Sequence, residues 1–314
     1  MSSGPLACIA CGGRDTHISE TIAAETIVSA WRRDDEAMGV AGGRERTEAL
    51  LSALPAWVAF HRCRLCGVEM AVPAIVWSAA TYPRDQSYPF RWEFNRCLDD
   101  LGSQPIDLLE IGCGTGEFLT AASARGHRAY GIDFNESAVA EAKRRGGQAF
   151  AGGFPELAVH LGHDRRFDAI ACFHVIEHMP SPQALFDTMK GWLRPSGRLF
   201  ISCPGPRRFT RLIAEQQAGA SDFWDYPPQH VLRWTEAGLR SVLSRNGWQP
   251  LSVVKEPFSW TAAGSQIGVV RASYRRQVDR PCLRRLNIAR GWLTLLLHPR
   301  QRAGVSLYAS ALRA

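Results

Sequence analysis

Two cysteine pairs, a run of glycines and a group of histidines are the parts of this 314-residue chain that could do chemistry. Cys8-x2-Cys11 and Cys63-x2-Cys66 each set two thiols on one tight turn. Four thiolates brought together close a tetrahedral zinc site, and a closed site is structural rather than catalytic. His17 and His61 stand near enough in sequence to substitute as ligands. Gly112-x-Gly114-x-Gly116 follows the apolar run Leu108-Leu-Glu-Ile111 and opens a helical stretch. Glycines there permit a tight turn and let a ligand approach the backbone. A dinucleotide loop would carry its third glycine at 117. Glu117 sits there instead, and its charge at a helix N-terminus opposes a pyrophosphate. Glu110, two residues before the first glycine, suits a ligand with a cationic amino-acid end. Asp133, 21 residues after Gly112, closes the next apolar run and can take both hydroxyls of a ribose.

Further along, His174, Glu177 and His178 lie in Phe167-Asp-Ala-Ile-Ala-Cys-Phe-His-Val-Ile-Glu-His-Met-Pro180, where a strand turns toward a helix. Two readings stand for them. They hydrogen-bond locally and shape a pocket, or with His230 they bind a divalent metal that activates a hydroxyl. His230 itself lies in Trp224-Asp-Tyr-Pro-Pro-Gln-His230. A histidine titrating near neutrality can take a proton from a hydroxyl as that oxygen displaces a leaving group, or it can tie a loop to the core.

Glu110-x-Gly112-x-Gly114-x-Gly116 resembles the signature of class I S-adenosylmethionine-dependent methyltransferases. The resemblance implies an α/β fold, a Rossmann-like sheet with helices on both faces, and S-adenosyl-L-methionine as cofactor. It places Glu110, Gly112, Cys113, Gly114, Gly116 and Asp133 around that cofactor, with Phe134, Phe154 and Phe173 beside them. Where the family commonly sets an acid near the adenine amino group, this chain has Gly152-Gly153, which leaves adenine to the backbone or to Phe154. Some metal-dependent RNA and quinone O-methyltransferases carry Glu-x-x-Glu-His where this chain has His174-x-x-Glu177-His178. The 224–235 stretch is similar to the aromatic-and-histidine loop of bacterial sugar methyltransferases. It makes His230 the first choice of base, with His174 and His178 next. Cys8, Cys11, Cys63 and Cys66 resemble a zinc ribbon in front of this core. Together with Ile27-Val-x-x-Trp31, Tyr82, Tyr88 and Arg91-Trp-Glu-Phe94, they make nearly the whole chain similar to bacterial methyltransferases of surface-glycan and natural-product loci.

Periodicity supplies the elements that must hold these residues. Short apolar runs predict strands at 106–111, 128–132, 148–151, 167–172, 198–202 and 249–254, with a last one at 305–309. Helical spacing predicts helices near 116–125, 135–145, 182–193 and 235–246. Such alternation means a parallel sheet covered on both faces. Ile22, Ile27 and Trp31, and later Leu50, Leu51 and Leu54, predict helices between the two cysteine pairs. Three units follow: a ribbon with a helical insertion over 1–75, a methyltransferase domain over 76–255 and 304–314, and an Arg-rich helical lid over 256–303.

The net charge of +7 is unevenly spread. Residues 271–302 hold nine arginines and one acid, Asp279, or +8, so the remaining 282 residues sum to −1. The basic balance therefore marks one surface, suited to an anionic acceptor or to a membrane face. No aromatic platform for RNA accompanies it, so a nucleic-acid partner is not expected. At 46% hydrophobic the chain is not a disordered one. No apolar run nears the roughly 18 residues of a bilayer span. The opening MSSGPLACIACGG lacks a basic region followed by a long apolar stretch, which predicts a cytoplasmic location. The expected activity is O-methylation of a small hydroxylated acceptor. RNA methylation and a non-catalytic, cofactor-binding partner subunit are the alternatives.

Overall fold

The computed structural model describes residues 6–38, 43–77, 91–218, 223–264, 281–299 and 302–313. Tyr82 and Tyr88, and the part of the Arg-rich stretch at 265–280 and 300–301, lie outside the described residues.

A seven-stranded sheet forms the centre. Its strands are β4 (Asp107–Ile111), β5 (Arg128–Asp133), β6 (Gln148–Ala151), β7 (Phe167–Phe173), β8 (Leu193–Pro204), β10 (Trp248–Lys255) and β11 (Ser306–Arg313), in the order β10-β11-β8-β7-β4-β5-β6. Neighbours from β8 to β6 pair in parallel, whereas β11 runs antiparallel to both β8 and β10. The chain builds outward from β4 to β6, then crosses back to lay β7 on the other side of β4. Ligands of open α/β sheets bind at the carboxyl ends of the strands beside such a crossing.

Alternation along the strands divides the core into two layers. Leu109, Ile111, Ile132, Ile170, Cys172, Leu199 and Ile201 face helices α6 (Phe154–Leu161), α7 (Pro182–Trp192) and α9 (Glu236–Arg245). Leu108, Ala129, Ala169, Ala171, Phe173 and Phe200 face α3 (Trp92–Leu101), α4 (Glu117–Ala124) and α5 (Glu136–Arg144). The small alanines of the second layer let the helices sit close. Helices thus cover both faces, as the alternating pattern predicts.

The cysteine-bearing part forms a second, antiparallel sheet from β1 (Thr16–Ala23), β2 (Trp57–Cys63) and β3 (Glu69–Val72). A two-residue strand, β9 (Leu232–Arg233), completes it. Helices α1 (Ala24–Met38) and α2 (Gly43–Ala53) fill the interval between the cysteine pairs. The hydrophobic interior of this unit (Ile27, Trp31, Val58, Phe60, Met70) is continuous with the first layer of the main core.

Several elements depart from the sequence reading. β8 begins at Leu193 rather than 198, with an irregular register opposite Phe167–Ala169. β11 runs on to Arg313 because it pairs along its length with β10. Helices α3, α6 and α8 (Phe209–Ala218) are additional. α6 follows directly on the Gly152-Gly153 pair: Gly152 takes φ 108, Pro155 fixes the first turn, and the Glu156 carboxylate accepts the Gly153 N–H at 2.8 Å. Of the predicted lid, helix α10 (Pro281–Leu297) is described. Among the described residues no helix is long and apolar enough to cross a membrane.

Candidate active site

The glycine loop joins β4 to α4. Its turn is set by backbone bonds: the Gly112 and Cys113 N–H groups both donate to the Ile132 carbonyl, at 2.8 and 3.1 Å. Gly112, Gly114 and Gly116 have φ of 73, 51 and 82°. A Cβ at Gly112 would stand 2.5 Å from Val175 Cγ2, so a side chain is excluded by both conformation and space. Asp133, at the end of β5, clamps the loop: its Oδ2 accepts the Gly114 N–H and its Oδ1 the Asn135 N–H, both at 2.8 Å. Burial raises the Asp133 pKa against these two bonds. A carboxylate has about four acceptor positions, so each oxygen keeps one for a ligand hydroxyl. Cys113 is buried beneath the loop, and burial lifts its thiol pKa well above the ordinary value.

Glu110 is the unusual group here. It is fully buried, and its Oε2 has no hydrogen-bond partner. Burial, reinforced by the charges of Asp133 and Glu117, pushes its pKa well above the carboxylate range. A buried acid without a counter-charge is costly, and a cation placed beside it removes that cost. The orphaned oxygen therefore fits the ammonium end of an amino-acid-bearing ligand such as S-adenosylmethionine. Glu117, by contrast, is paired: it accepts from the Thr115 hydroxyl at 2.7 Å and from Arg145 at 2.7 Å.

The aromatic residues divide. Phe134 is 81% exposed beside Gly153, free to meet a ligand. The Phe154 ring packs on Trp192 at 5.7 Å, and Phe173 packs between Phe94 and Phe118 at 5.3 and 5.0 Å. Both rings are taken up by the two core layers. Phe154 is turned to this packing by the start of α6, and Phe173 by the inward alternation of β7.

Across the switch point lies the histidine group. His174 follows the last residue of β7 with a left-handed φ of 53°. Its Nε2 is 2.9 Å from Glu93 Oε1 and its Nδ1 is 3.3 Å from Glu177 Oε1, both carboxylates being buried. Burial and Arg91 disfavour its cation, but the carboxylates of Glu177 and Glu93 outweigh them and raise its pKa. His174 is thus held between two acids. His178 Nδ1–H donates to the Gln229 carbonyl, and its ring centroid is 5.1 Å from that of His230. Burial, against the pull of Glu177, drops its pKa to about 4, so the ring is neutral at pH 7. Burial works against the Glu177 charge, yet His174 and His178 bring its pKa down to about 2. The buried Asp225 carboxylate lies 3.3 Å from His230 Nδ1 and 2.7 Å from Arg208. Burial opposes the Asp225 charge, but Arg208 and His230 keep it ionised.

Each of His178 and His230 therefore has Nδ1 fixed; His178 Nε2 faces Glu177 Oε1 at 3.9 Å, and His230 Nε2 makes no hydrogen bond among the described residues. Ligand atoms of Glu177, His178 and His230 all lie within 4.8 Å of one another. His174, with both nitrogens on carboxylates, is outside that group. Glu93 and Asp225, which orient the histidines, were not singled out from sequence. The signal was present in both cases as an acid inside an aromatic run, Arg91-Trp-Glu-Phe and Phe223-Trp-Asp-Tyr.

In the N-terminal unit the four predicted cysteines converge. Cys8 and Cys66 Sγ atoms are 3.8 Å apart, Cys11 and Cys63 3.6 Å, and all four lie within 4.8 Å. Sulfurs about 2.3 Å from a tetrahedral zinc stand about 3.8 Å from one another. The donor set and spacing fit that ion. His17 and His61 are not part of the quartet.

Comparison with known proteins agrees with this architecture. A family model described as a methyltransferase domain matches residues 82–253, more than half of the chain. A ubiquinone biosynthesis O-methyltransferase of Coxiella burnetii (strain Dugway 5J108-111) is 26% identical over 153 residues, covering 45% of this chain and 65% of the relative. One of Xylella fastidiosa (strain 9a5c) is 32% identical over 101 residues, covering 30% and 40%. The chain thus spans less than two thirds of the length of these relatives. A solved SAM dependent methyltransferase from Archaeoglobus fulgidus aligns at 19% identity and a TM-score of 0.46, covering 70% of this chain and 90% of that one. On the family match, and with a Rossmann-like sheet that puts the glycine loop at its switch point, this chain belongs to the methyltransferase-domain family.

Proposed function

We propose that this protein transfers a methyl group from S-adenosylmethionine to an oxygen of a small hydroxylated acceptor, with His230 as general base. The observation that carries the reading is the buried Glu110 Oε2, without a hydrogen bond beside the glycine loop, with His178 and His230 clustered on Glu177 across the switch point. S-adenosylmethionine supplies a methyl on a cationic sulfur, which leaves readily. Glu110 and Asp133 hold the ammonium and ribose ends, and the glycine backbone admits the chain between them. Asp225 fixes His230 Nδ1 and stabilises the imidazolium formed when its other nitrogen takes the acceptor proton. With so good a leaving group, alignment supplies much of the rate. The O-methyltransferase relatives support oxygen as the atom methylated.

A second reading keeps the same acceptor and adds a divalent cation held by Glu177, His178 and His230. The proximity of their ligand atoms favours it, as does the Glu177 Oε2, buried without a hydrogen bond. The cation would lower the pKa of an acceptor hydroxyl. Cys8, Cys11, Cys63 and Cys66 hold a structural zinc in either case. Helix α10 presents Leu293, Leu296 and Leu297 to solvent, and in sequence they fall within the arginine-rich segment 271–302, which supports contact with an acceptor or membrane face carrying negative charge.

Calorimetric titration with S-adenosylhomocysteine tests the cofactor reading. Micromolar binding that is lost in Asp133→Ala is expected. Folded, zinc-loaded protein that takes up no S-adenosylhomocysteine overturns it. A requirement for added Mg2+ or Mn2+, abolished in Glu177→Gln, selects the second reading over the first.

A further inference from the structure

The stretch that carries His230 is suspended between two parts of the molecule. On the sheet side, the Val231 N–H donates to the Glu177 carbonyl at 2.9 Å, and the Gln229 carbonyl meets His178 Nδ1. Arg208, which follows β8, also pairs with Asp225 at 2.7 Å. The remaining attachments described below come from the N-terminal unit. The Ala71 N–H of β3 donates to the Val231 carbonyl at 2.8 Å, and Glu69 and Met70 pair with Arg233 and Leu232. Trp77 Nε1–H donates to Gln229 Oε1 at 2.8 Å. The Tyr226 hydroxyl donates to Glu20 of β1 at 2.5 Å.

Arg233 gathers these links. It is buried, its guanidinium lies 3.5 Å from the centroid of Phe60 on β2, and it donates to Glu20 at 2.5 Å. It also donates to the backbone carbonyl of Asp225 at 3.1 Å, the residue whose side chain fixes His230. β2 ends at Cys63 and β3 begins at Glu69, so the strands that grip 225–233 are joined through the Cys63–Cys66 turn. The glycine loop is built differently: its bonds run to Ile132 and Asp133 of β5 and within the loop itself.

We infer that the N-terminal unit is the positioning element of the acceptor side. The four-cysteine site sets β2 against β3. Through Glu20, Trp77 and Arg233 that pair fixes where His230 stands relative to His178, while the cofactor loop assembles without it. The inference rests on the proposed structural zinc and on His230 lying at the acceptor; the cofactor reading is tested separately.

The test uses the full chain with 15N-labelled histidines, following the ring resonances of His178 and His230 beside S-adenosylhomocysteine calorimetry. Cys11→Ser is chosen because Cys11 is the least buried of the four cysteines. It is expected to lose zinc and to shift or broaden both ring signals, while affinity for S-adenosylhomocysteine stays within about threefold, under 1 kcal/mol. Glu20→Gln retains zinc and is expected to move the His230 signal alone or more strongly than that of His178. Arg233→Lys keeps the charge but not the bond to Asp225, and is expected to do the same. Ring signals unchanged in all three variants overturn the inference. So does a parallel loss of cofactor affinity in all three, since the two sides then form one cooperative unit. If Cys11→Ser fails to fold, the two zinc-retaining variants decide by the same criteria. A wild-type protein that binds no S-adenosylhomocysteine defeats the cofactor reading and leaves the ring-signal test standing.

Discussion

The two halves of the site are held by different means. The cofactor half is one strand, one turn and the end of the next strand, with its shape written into backbone hydrogen bonds and glycine conformations. The acceptor half draws on Glu93 from α3, residues 174–178 after β7, residues 225–233, and through the last of these the N-terminal sheet. Backbone pairing with β3 and with Glu177 anchors it, but its histidines are oriented by side-chain contacts among buried charges. A backbone-built site tolerates change around it and fails when a glycine is lost. A side-chain network is worth more than its separate pairs and loosens when any member goes. The same sheet edge therefore carries one robust, generic surface and one that is specific and easily altered, a division suited to a common cofactor and a particular acceptor.

The largest expected effect strikes the backbone-built half. Gly112→Val places a β-branched side chain at φ 73° against Val175. Strain and overpacking of this kind sum to several kcal/mol, and S-adenosylhomocysteine affinity is expected to fall by about 1,000-fold. Ring signals of His178 and His230 that stay in place would sharpen the contrast between the halves, and their collapse would break it.

Next is a pH effect confined to the acceptor half. Because burial takes the His178 pKa down to about 4, the unfolded chain binds the extra proton between its ordinary value near 6.5 and 4. The stability His178 contributes is thus full above about pH 6.5 and is lost as pH falls toward 4. His174, whose pKa is raised, acts in the opposite sense: its contribution is full below about 6.5 and fades as pH rises. Denaturant melts at stepped pH should show His178→Gln with a flatter acid limb than wild type, the difference reaching at most about 3 kcal/mol. Identical limbs would remove His178 from the account of acid stability.

His230→Ala should divide the halves by function. Turnover with any acceptor that supports it is expected to drop about 100-fold, the scale of a lost general base, with S-adenosylhomocysteine affinity unchanged. Steady-state kinetics with calorimetry on one preparation checks both numbers, and unchanged turnover removes His230 from the mechanism. The smallest effect is in Glu110→Gln. Removing a buried acid that Arg91 compensates only in part should raise stability of the ligand-free protein in thermal melts, yet weaken S-adenosylhomocysteine binding about tenfold by removing the ammonium's counter-charge. Loss of both stability and affinity would mean Glu110 already has its compensation inside the fold.

Much of the fold was legible because its signals are local. The runs at 106–111, 128–132 and 167–172 are short and largely apolar and alternate with helical spacing at 116–125, 135–145 and 182–193, and a chain of that pattern forms a parallel sheet. α6 escaped because its start, Gly152-Gly153-Phe-Pro, carries turn residues, and only the Glu156 carboxylate closing on Gly153 turns them into a helix cap. Phe154 and Phe173 drew attention as aromatic neighbours of the cofactor turns. Sequence proximity could not tell a ring facing the ligand from one facing the core. Zinc-ligand spacing put four cysteines together across 51 intervening residues, but gave no hint that β9, more than 150 residues later, would close the same sheet.

What the sequence determined by itself is the proposed cofactor half: the placing of Glu110, the three glycines and Asp133 around one turn follows from chain order, because a strand–turn–helix places its own residues. The tertiary structure alone decided the acceptor half. It set His174 between Glu93 and Glu177, gathered His178 and His230 around Glu177, and joined the 225–233 stretch to the N-terminal sheet. Those contacts join residues up to about 200 positions apart, and buried charges choose partners by proximity in space, which no local pattern encodes.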